Sequence, residues 1–215
     1  MEFDYLREFV SFANHIKNVS NHNNIMYLSI YVDDTDEELK HLYVEAAKKH
    51  NQKLLEDPVF YDAGFDLFLP KNNKDTYNCE DGTKFYTRAW KDKPTNKVDF
   101  RVKCCGKLYT NGQFCYTPFY IYARSSISKT PLRLANNQGI IDAGYRGNLI
   151  GMFDCLNSSD VSDDREFDWY MEKYSRILQI CAPNLIPIYV NIVDTLEELG
   201  PSTLRGIGGF GSTGV

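Results

Sequence analysis

The sequence lacks a long apolar run and a basic leader segment, and each absence excludes a class of protein. No stretch of the 215 residues approaches the roughly 18 consecutive apolar residues of a membrane span. The first ten residues, MEFDYLREFV, carry acidic side chains where a secretory signal has basic ones. We therefore expect an intracellular protein, cytoplasmic or nuclear, with no membrane partner.

The cysteines and the net charge exclude two further classes. The six cysteines form no C-x-x-C pair and no regular framework, and occur at Cys79, Cys104, Cys105, Cys115, Cys155 and Cys181. Such positions are typical of reduced intracellular thiols and lack the ligand spacing of a zinc site. The formal net charge of −5 provides no basic footprint for nucleic acid. We predict neither a zinc centre nor a nucleic-acid partner.

Histidine is missing from most of the chain. All four histidines lie in the first fifty residues, at His15, His22, His41 and His50. If the chemistry resides in the remainder, its general base is not histidine, and serine–histidine or cysteine–histidine mechanisms are disfavoured. A carboxylate then becomes the leading candidate for the base.

The first 56 residues predict a small N-terminal extension with a strand and a helix. Residues 25–32, IMYLSIYV, are β-branched and aromatic-rich and predict a strand. A capping box, Thr35-Asp36-Glu37-Glu38, precedes apolar residues at helical spacing and predicts a helix over about 36–55. The first twenty or so residues also have weak helical character. The basic residues near the end of the helix are expected to form a solvated face: Lys48, Lys49 and Lys53.

Residues 57–204 predict a mainly β domain. Short β-rich segments alternate with turn residues, which is typical of a β-sandwich or barrel. Asn111-Gly112 between two such segments predicts a hairpin, and residues 137–154 predict a second tight hairpin around Ala143-Gly144. Two polar segments interrupt the pattern, namely a surface excursion at 71–97 and an acidic loop at 158–168.

The chain ends in a glycine-rich segment, RGIGGFGSTGV, residues 205–215. Five of the fourteen glycines lie in the last ten residues, and GIGGFG fits the dinucleotide-binding pattern G-x-G-x-x-G. That motif requires a helix after its last glycine, and only four residues follow Gly211. We therefore expect a flexible arm that wraps phosphates when ligand is present, rather than a fixed phosphate cradle.

Five segments resemble, in order, the five motifs of the trimeric dUTPases (deoxyuridine triphosphate nucleotidohydrolases). The third and fifth motifs are nearly complete, and the resemblance covers roughly 57–215. The fourth motif departs from the family pattern because Leu178 replaces a small residue. The five segments are DAGFDL (62–67), ARSSISK (123–129), GIIDAGYRG (139–147), RILQ (176–179) and RGIGGFGSTG (205–214).

The resemblance implies a jelly-roll-like β fold and a homotrimer with active sites shared between subunits. The implied reaction is hydrolysis of dUTP to dUMP and pyrophosphate by water attack at the α-phosphorus, with Mg²⁺ on the triphosphate. This reaction limits uracil in DNA and supplies dUMP for dTMP synthesis. By resemblance Asp142 is the base that orients the water, and Tyr145 packs under the deoxyribose and excludes a 2′-hydroxyl. Uracil would pair with backbone groups near Gly139 and Ile141, with Asn136 as a helper.

The remaining implied site residues bind phosphate. In the second motif, Arg124, Ser125 and Ser126 offer a guanidinium and hydroxyls to phosphate oxygens. Gln179 is similar to the fourth-motif glutamine near the α-phosphate. Asp66 is expected either to support the water shell of the metal or to position an arginine. By resemblance the arm would close over the nucleotide in a neighbouring subunit's site, through a ring, a cation, backbone groups and hydroxyls from Arg205, Phe210, Gly211, Ser212 and Thr213.

Two alternative functions remain open from the sequence. The same fold can serve as a nucleotide-sensing or interaction module in which catalysis is dispensable, although such a module has no physical need for the base. A dCTP deaminase-like enzyme would require an acid–base residue near C4 of the pyrimidine, and no clear candidate is present.

Overall fold

A computed structural model describes residues 2–33, 35–71, 76–78, 85–89, 95–156 and 169–208. Within these ranges it contains two long helices, α1 (Glu2–Ser20) and α2 (Glu37–Glu56), and fourteen strands. No helix of the described part is long and apolar enough to span a membrane. The strands form four sheets rather than a closed barrel over the described ranges, so the predicted mainly β fold is confirmed in its sandwich-like form.

The first sheet contains strands from both the N-terminal and the C-terminal parts of the chain. Its order is β14-β1-β6-β7, with bounds β1 Asn24–Val32, β6 Val102–Thr110, β7 Gln113–Tyr116 and β14 Ile188–Val193. Strand β1 runs parallel to β14, with Met26 opposite Ile188, and antiparallel to β6. The segment expected to be an N-terminal extension therefore supplies an internal strand of this sheet.

The second sheet carries most of the predicted site residues. Its order is β10-β8-β13-β2, with bounds β2 Gly64–Phe68, β8 Phe119–Ala123, β10 Gln138–Ile141 and β13 Arg176–Cys181. All three pairings are antiparallel. A short 3₁₀ helix, Ser125–Lys129, follows β8. Strands β10 and β2 are thus the two opposite edges of this sheet.

Two three-stranded sheets complete the described fold. One has the order β5-β11-β9, with bounds β5 Asn96–Asp99, β9 Leu132–Leu134 and β11 Ile150–Cys155. The other has the order β12-β4-β3, with bounds β3 Thr76–Asn78, β4 Phe85–Ala89 and β12 Trp169–Glu172. Part of the predicted 71–97 excursion is therefore strand, whereas the acidic loop expected at 158–168 lies outside the described residues.

Strand β1 is apolar on both faces because it separates two cores. Met26, Leu28 and Ile30 point into the main core with residues of α2 and the second sheet. Ile25 points the other way, into a cluster with Phe9 and other residues of α1. Alternate residues of a strand face opposite sides, so the continuous apolar run IMYLSIYV is the pattern of a strand covered on both faces.

Helix α2 is held firmly against the sheets. Its N-terminus is capped by Asp36, whose carboxylate accepts a hydrogen bond from the Leu39 backbone N–H at 3.1 Å. The Asn51 side chain donates to the Val190 carbonyl at 2.8 Å and accepts from the Val190 N–H at 2.9 Å, so it pairs like an extra strand with the outer edge of β14. The Tyr43 hydroxyl accepts a hydrogen bond from the Phe68 N–H at 2.9 Å.

One predicted hairpin is confirmed and the other is wrong. Strands β6 and β7 pair across Asn111 and Gly112, both with positive φ, as an Asn-Gly turn requires. The expected hairpin over 137–154 does not form, because β10 pairs with β8, while β11 pairs with β5 and β9. The turn at Ala143-Gly144 exists, but it joins two different sheets.

Candidate functional site

The predicted site residues line two separate cavities. The β10 cavity, about 230 Å³, is lined among others by Asn136, Gly139, Ile141, Asp142, Tyr145 and Arg205. The α2 cavity, about 530 Å³, is lined among others by Lys49, Lys53, Asp66, Arg124, Arg176 and Gln179. They lie toward opposite edges of the second sheet, whose outer strands β10 and β2 are three strand spacings apart, about 14 Å.

Asp142 follows β10 directly and is held by a tight turn. The Tyr145 backbone N–H donates to the Asp142 carbonyl at 2.9 Å and closes the turn across Ala143-Gly144. The backbone on both sides of the carboxylate is thereby fixed, and the Asp142 side chain, 56% exposed, borders the β10 cavity. This position suits a carboxylate that orients a water molecule.

The start of the glycine-rich segment folds back on this same turn. The Arg205 Nε donates to the Asp142 Oδ2 at 2.9 Å. The Thr203 hydroxyl donates to the Gly144 carbonyl, and the Arg146 N–H donates to the Gly206 carbonyl at 2.8 Å. Arg205 therefore borders the β10 cavity of its own chain. The other predicted arm residues lie outside the described residues, namely Phe210, Gly211, Ser212 and Thr213.

Tyr145 is fixed beside Asp142 by its hydroxyl and by close packing. The hydroxyl donates to the Asn148 carbonyl at 2.9 Å. A Cβ atom added at Gly147 would lie 2.6 Å from the Tyr145 Cζ, so the ring occupies the space that only glycine leaves free. Burial and the nearby Asp99 carboxylate raise the pKa of the Tyr145 hydroxyl, which therefore stays protonated as a donor.

Strand β10 offers unpaired backbone groups to the cavity that it borders. It pairs only with β8 among the described strands, so the backbone groups on its outer side are outside the ladder. A Cβ atom at Gly139 would lie 3.3 Å from the Ile121 Cβ, which shows how closely β10 and β8 approach. Gly139, Ile141 and Asn136 all line the β10 cavity. Backbone N–H donors and C=O acceptors along this strand edge are suited to form hydrogen bonds with a planar base.

Asp66 organises the α2 cavity by binding two arginines. Its Oδ1 lies 2.6 Å from the Arg124 Nε, and its Oδ2 lies 3.1 Å from the Arg176 Nη1. Burial raises the pKa of the Asp66 carboxyl, and the two guanidinium groups oppose that shift. Of the two roles expected for Asp66, these contacts support the positioning of an arginine.

The remaining polar residues of the second and fourth motifs make two kinds of contact: two line the α2 cavity, and one binds a backbone carbonyl. Ser125 and Gln179 line the α2 cavity. The Ser126 hydroxyl instead donates to the Arg176 carbonyl at 3.3 Å. Leu178, the departure from the family pattern, is fully buried on the opposite face of β13 from Gln179. The altered residue therefore packs in the core, and the glutamine still faces the cavity.

Helix α2 also contributes to this cavity, which the sequence did not indicate. Lys49, His50 and Lys53 line it, although the basic residues of α2 were expected to form a solvated face. Positions three and four apart share one face of a helix, and Ala46, Lys49, His50 and Lys53 follow that spacing. This periodicity was the available signal, but nothing in the sequence indicated what that face would approach.

The described residues contain no cluster of three side chains that would by itself hold a metal ion. The carboxylates nearest the two cavities are already paired: Asp142 with Arg205, Asp66 with two arginines and Asp62 with Lys53. Mg²⁺ commonly binds through substrate phosphates and few protein ligands. The described residues thus offer no protein cage for Mg²⁺.

The chain is similar in sequence to curated proteins of one class. No family model matches the chain. Among curated proteins it is 35% identical to the deoxyuridine 5′-triphosphate nucleotidohydrolase of Escherichia phage T5 over 95 residues, which are 44% of this chain and 56% of that protein. It is 38% identical to the enzyme of the same name from Rickettsia bellii over 96 residues, again 44% and 56%.

The relation to dUTPases rests on these sequence matches. The chain spans a little over half the length of the curated relatives it matches, including the Desulfitobacterium hafniense protein, at 34% identity over 100 residues. Two solved phage dUTPases also match, one from Staphylococcus bacteriophage 80alpha (TM-score 0.36, 22% identity, 72% of this chain and 87% of that one). The other is from phage phi11 of S. aureus (TM-score 0.38, 19% identity, 62% and 82%). The resemblance to the dUTPase family is confirmed by the named sequence relatives.

Proposed function

We propose that this protein hydrolyses dUTP to dUMP and pyrophosphate. The observation that carries the proposal is the sorting of the motif residues into two chemically distinct cavities. The β10 cavity combines a fixed carboxylate, an aromatic ring and a free strand edge. The α2 cavity combines arginines, a serine and a glutamine. One cavity is suited to a nucleoside and a water molecule, and the other is suited to phosphates.

In this proposal Asp142 is the base for the attacking water. Its carboxylate accepts the water proton as the water oxygen attacks the α-phosphorus, and pyrophosphate leaves. Arg205, now 2.9 Å from Asp142, exchanges that carboxylate for a phosphate oxygen when the triphosphate binds. The exchange frees the base and brings a cation to the developing negative charge in one movement.

The β10 cavity supplies the specificity for deoxyuridine. Tyr145, pinned by the hydrogen bond to Asn148 and by Gly147, leaves no space for a ribose 2′-hydroxyl. The outer edge of β10 at Gly139 and Ile141, helped by Asn136, pairs with the polar edge of uracil. Cytosine presents a donor where uracil has an acceptor, and would leave buried polar groups unpaired.

The α2 cavity binds the triphosphate. Arg124, held by Asp66, with Ser125 and Gln179, contacts phosphate oxygens. Mg²⁺ carried by the triphosphate would neutralise part of its charge. The arm residues Phe210, Gly211, Ser212 and Thr213 close over the bound nucleotide and exclude water.

The complete site requires more than one copy of the chain. The two cavities lie toward opposite edges of one sheet, so a single nucleotide is served by the β10 cavity of one subunit and the α2 cavity of another. A threefold homotrimer closes this head-to-tail contact. In the cell the reaction would keep uracil out of DNA and provide dUMP for dTMP synthesis.

Pyrophosphate release from dUTP, dCTP, dTTP and UTP tests the proposal. We expect release from dUTP alone. The Asp142→Asn variant should bind dUTP normally while kcat falls by about 10²–10⁴-fold, the usual contribution of a general base. Binding of dUTP without turnover by the unaltered protein would favour a sensing module, and ammonia release from dCTP would favour a deaminase. Either outcome overturns the proposal.

A further inference from the structure

Helix α2 lies outside the part of the chain that resembles dUTPases, yet it lines the phosphate-binding cavity. The resemblance begins near residue 57, and α2 ends at Glu56. Four residues of α2 line the α2 cavity beside the motif arginines, namely Ala46, Lys49, His50 and Lys53. The helix therefore adds side chains to the site that the motifs do not include.

The side chains that line the α2 cavity carry more positive than negative charge. Lys49, Lys53, Arg124 and Arg176 provide four cations against the two carboxylates of Asp62 and Asp66. Burial holds the pKa of His50 below its ordinary value, so this histidine is neutral at pH 7 and donates its Nε2 proton to the Ile188 carbonyl at 3.0 Å. The excess of two positive charges suits a polyanion.

Lys49 is the cation of this set that no described carboxylate neutralises. Both oxygens of Asp62 lie 2.7 Å from the Lys53 Nζ. Asp66 binds both Arg124 and Arg176. Lys49, by contrast, has no carboxylate within salt-bridge distance among the described residues. Its charge is therefore available to a ligand in the cavity.

Helix α2 holds the backbone at Lys49 in a fixed position. The two residues that follow Lys49 bind the edge of β14: His50 contacts Ile188, and Asn51 pairs with Val190 on both its N–H and its carbonyl. The buried Ala47 and Leu54 anchor the same helix in two cores. A cation on a rigid helix needs no ordering of its backbone to bind a ligand, which favours affinity.

We propose that Lys49 binds the polyphosphate chain of the substrate, so that α2 is a functional wall of the active site. This inference rests on the proposed function only in taking dUTP as the substrate. The polyphosphate itself is recognised by the charges described above. Because Lys49 contacts ground state and transition state alike in this arrangement, it lowers KM and leaves kcat unchanged.

Lys48 provides a matched control one residue away. It is exposed on the same turn of α2, but it pairs with Glu45 at 2.9 Å and lines a different groove, between α1 and α2. Lys48→Ala and Lys49→Ala remove the same charge from the same helix. Only the second removes it from the α2 cavity. Lys49→Arg keeps the charge in place.

The test is calorimetric binding of inorganic tripolyphosphate, together with steady-state hydrolysis of dUTP, for these variants of the full chain. We expect Lys49→Ala to weaken tripolyphosphate binding about fivefold and to raise the KM for dUTP about fivefold, with kcat unchanged. A fivefold effect is about the upper range for an exposed ion pair. Lys48→Ala and Lys49→Arg should match the unaltered protein in both measurements.

The two assays separate this inference from the proposed function. If the unaltered protein hydrolyses dUTP and Lys49→Ala matches Lys48→Ala in both assays, the role of Lys49 is refuted and the reaction stands. If dUTP is not hydrolysed, but tripolyphosphate binds and depends on Lys49, the proposed function fails and the anion site stands. A fall in kcat without a change in KM would also overturn the assignment.

Discussion

At the scale of single residues, β13 shows how a sequence departure is accommodated without disturbing the site. Successive side chains of a strand face opposite sides, so Leu178 enters the core while Gln179 faces the α2 cavity. A Cβ atom at Gly64 on the paired strand would lie 3.0 Å from the Gln179 Cδ, so Gly64 leaves room for that side chain. The motif therefore keeps its polar residue although its apolar neighbour is larger.

The Gly147→Ala substitution tests whether the position of the Tyr145 ring sets sugar discrimination. The added methyl group would lie 2.6 Å from the Tyr145 Cζ, so the ring must move. We expect the preference for dUTP over UTP, as the ratio of kcat/KM values, to fall by about tenfold or more. The preference is measured by pyrophosphate release from each nucleotide.

Tyr145→Phe is the companion variant for this test. It keeps the ring and loses only the hydrogen bond to Asn148. If steric exclusion by the ring is the cause, this variant retains the discrimination that Gly147→Ala loses. A Gly147→Ala protein with an unchanged ratio would show that the ring does not exclude the 2′-hydroxyl.

Much of the candidate site was predictable at this scale because its residues lie in short, ordered motifs. Asp142 and Tyr145 follow each other within one turn, and local sequence determines that they share a cavity. The pairing of Arg205 with Asp142 was not predictable, since 63 residues separate them along the chain. Nor was Lys49, because its surroundings depend on how α2 packs against the second sheet.

At the scale of elements, the strand positions were predictable and one strand pairing was not. A glycine-containing turn between two β-rich segments normally indicates a hairpin. Here the chain continues past the turn and joins the next sheet: the Leu149 N–H donates to the Val102 carbonyl, and the Phe100 N–H donates to the Leu149 carbonyl. These contacts direct β11 to β5 rather than to β10. Long-range hydrogen bonds thus overrode the local turn signal.

The N-terminal segment also gained its role from long-range contacts. Its strand and helix were expected from local patterns, but its place between β14 and β6 depends on pairing with residues far along the chain. Periodicity reports which side of an element is apolar, and it does not report which partner covers that side.

Substitution of Leu28 tests how far β1 belongs to the main core. Leu28 is fully buried at the centre of β1, whereas Val19, near the end of α1, is 52% exposed. We expect Leu28→Ala to lower the free energy of unfolding by about 2–5 kcal/mol, the usual result of truncating a buried leucine. Val19→Ala should change it by less than about 0.5 kcal/mol.

Urea denaturation followed by tryptophan fluorescence and circular dichroism measures both effects. A Leu28→Ala protein with unchanged stability would mean that residues 1–56 form an appendage whose packing does not support the β domain. The Val19→Ala variant controls for the loss of an apolar side chain from the same segment.

At the scale of the whole molecule, the separation of the two cavities underlies the proposal that two chains build one site. No described residue lines both cavities. Under the proposed function, a nucleotide places its base in one cavity and its phosphates in the other, and lies between two subunits. Mixtures of inactive variants test this arrangement.

Mixing two inactive variants should restore activity if the site is shared. We expect Asp142→Asn to inactivate the β10 cavity and Arg124→Ala to inactivate the α2 cavity. Over all trimers of an equimolar refolded sample, a site that takes one cavity from each of two chains is intact in about a quarter of cases. We expect recovery near that fraction of unaltered dUTP hydrolysis, measured as pyrophosphate release.

A second mixture controls for refolding effects. Asp142→Asn combined with Asp142→Ala places both defects in the same cavity, so no intact site can form and no activity should return. If the first mixture also remains inactive while mixed trimers are present, both halves of the site come from one chain.

The parallel pairing of β1 with β14 has a consequence for how the protein is made. Met26 pairs with Ile188, so the ribosome must synthesise most of the chain before this sheet gains its outer strand. Until then β1 exposes an apolar edge beside β6, and such edges promote aggregation of nascent chains. Contacts between distant residues also slow folding. Production of the protein at low temperature or with chaperones should therefore raise the soluble yield.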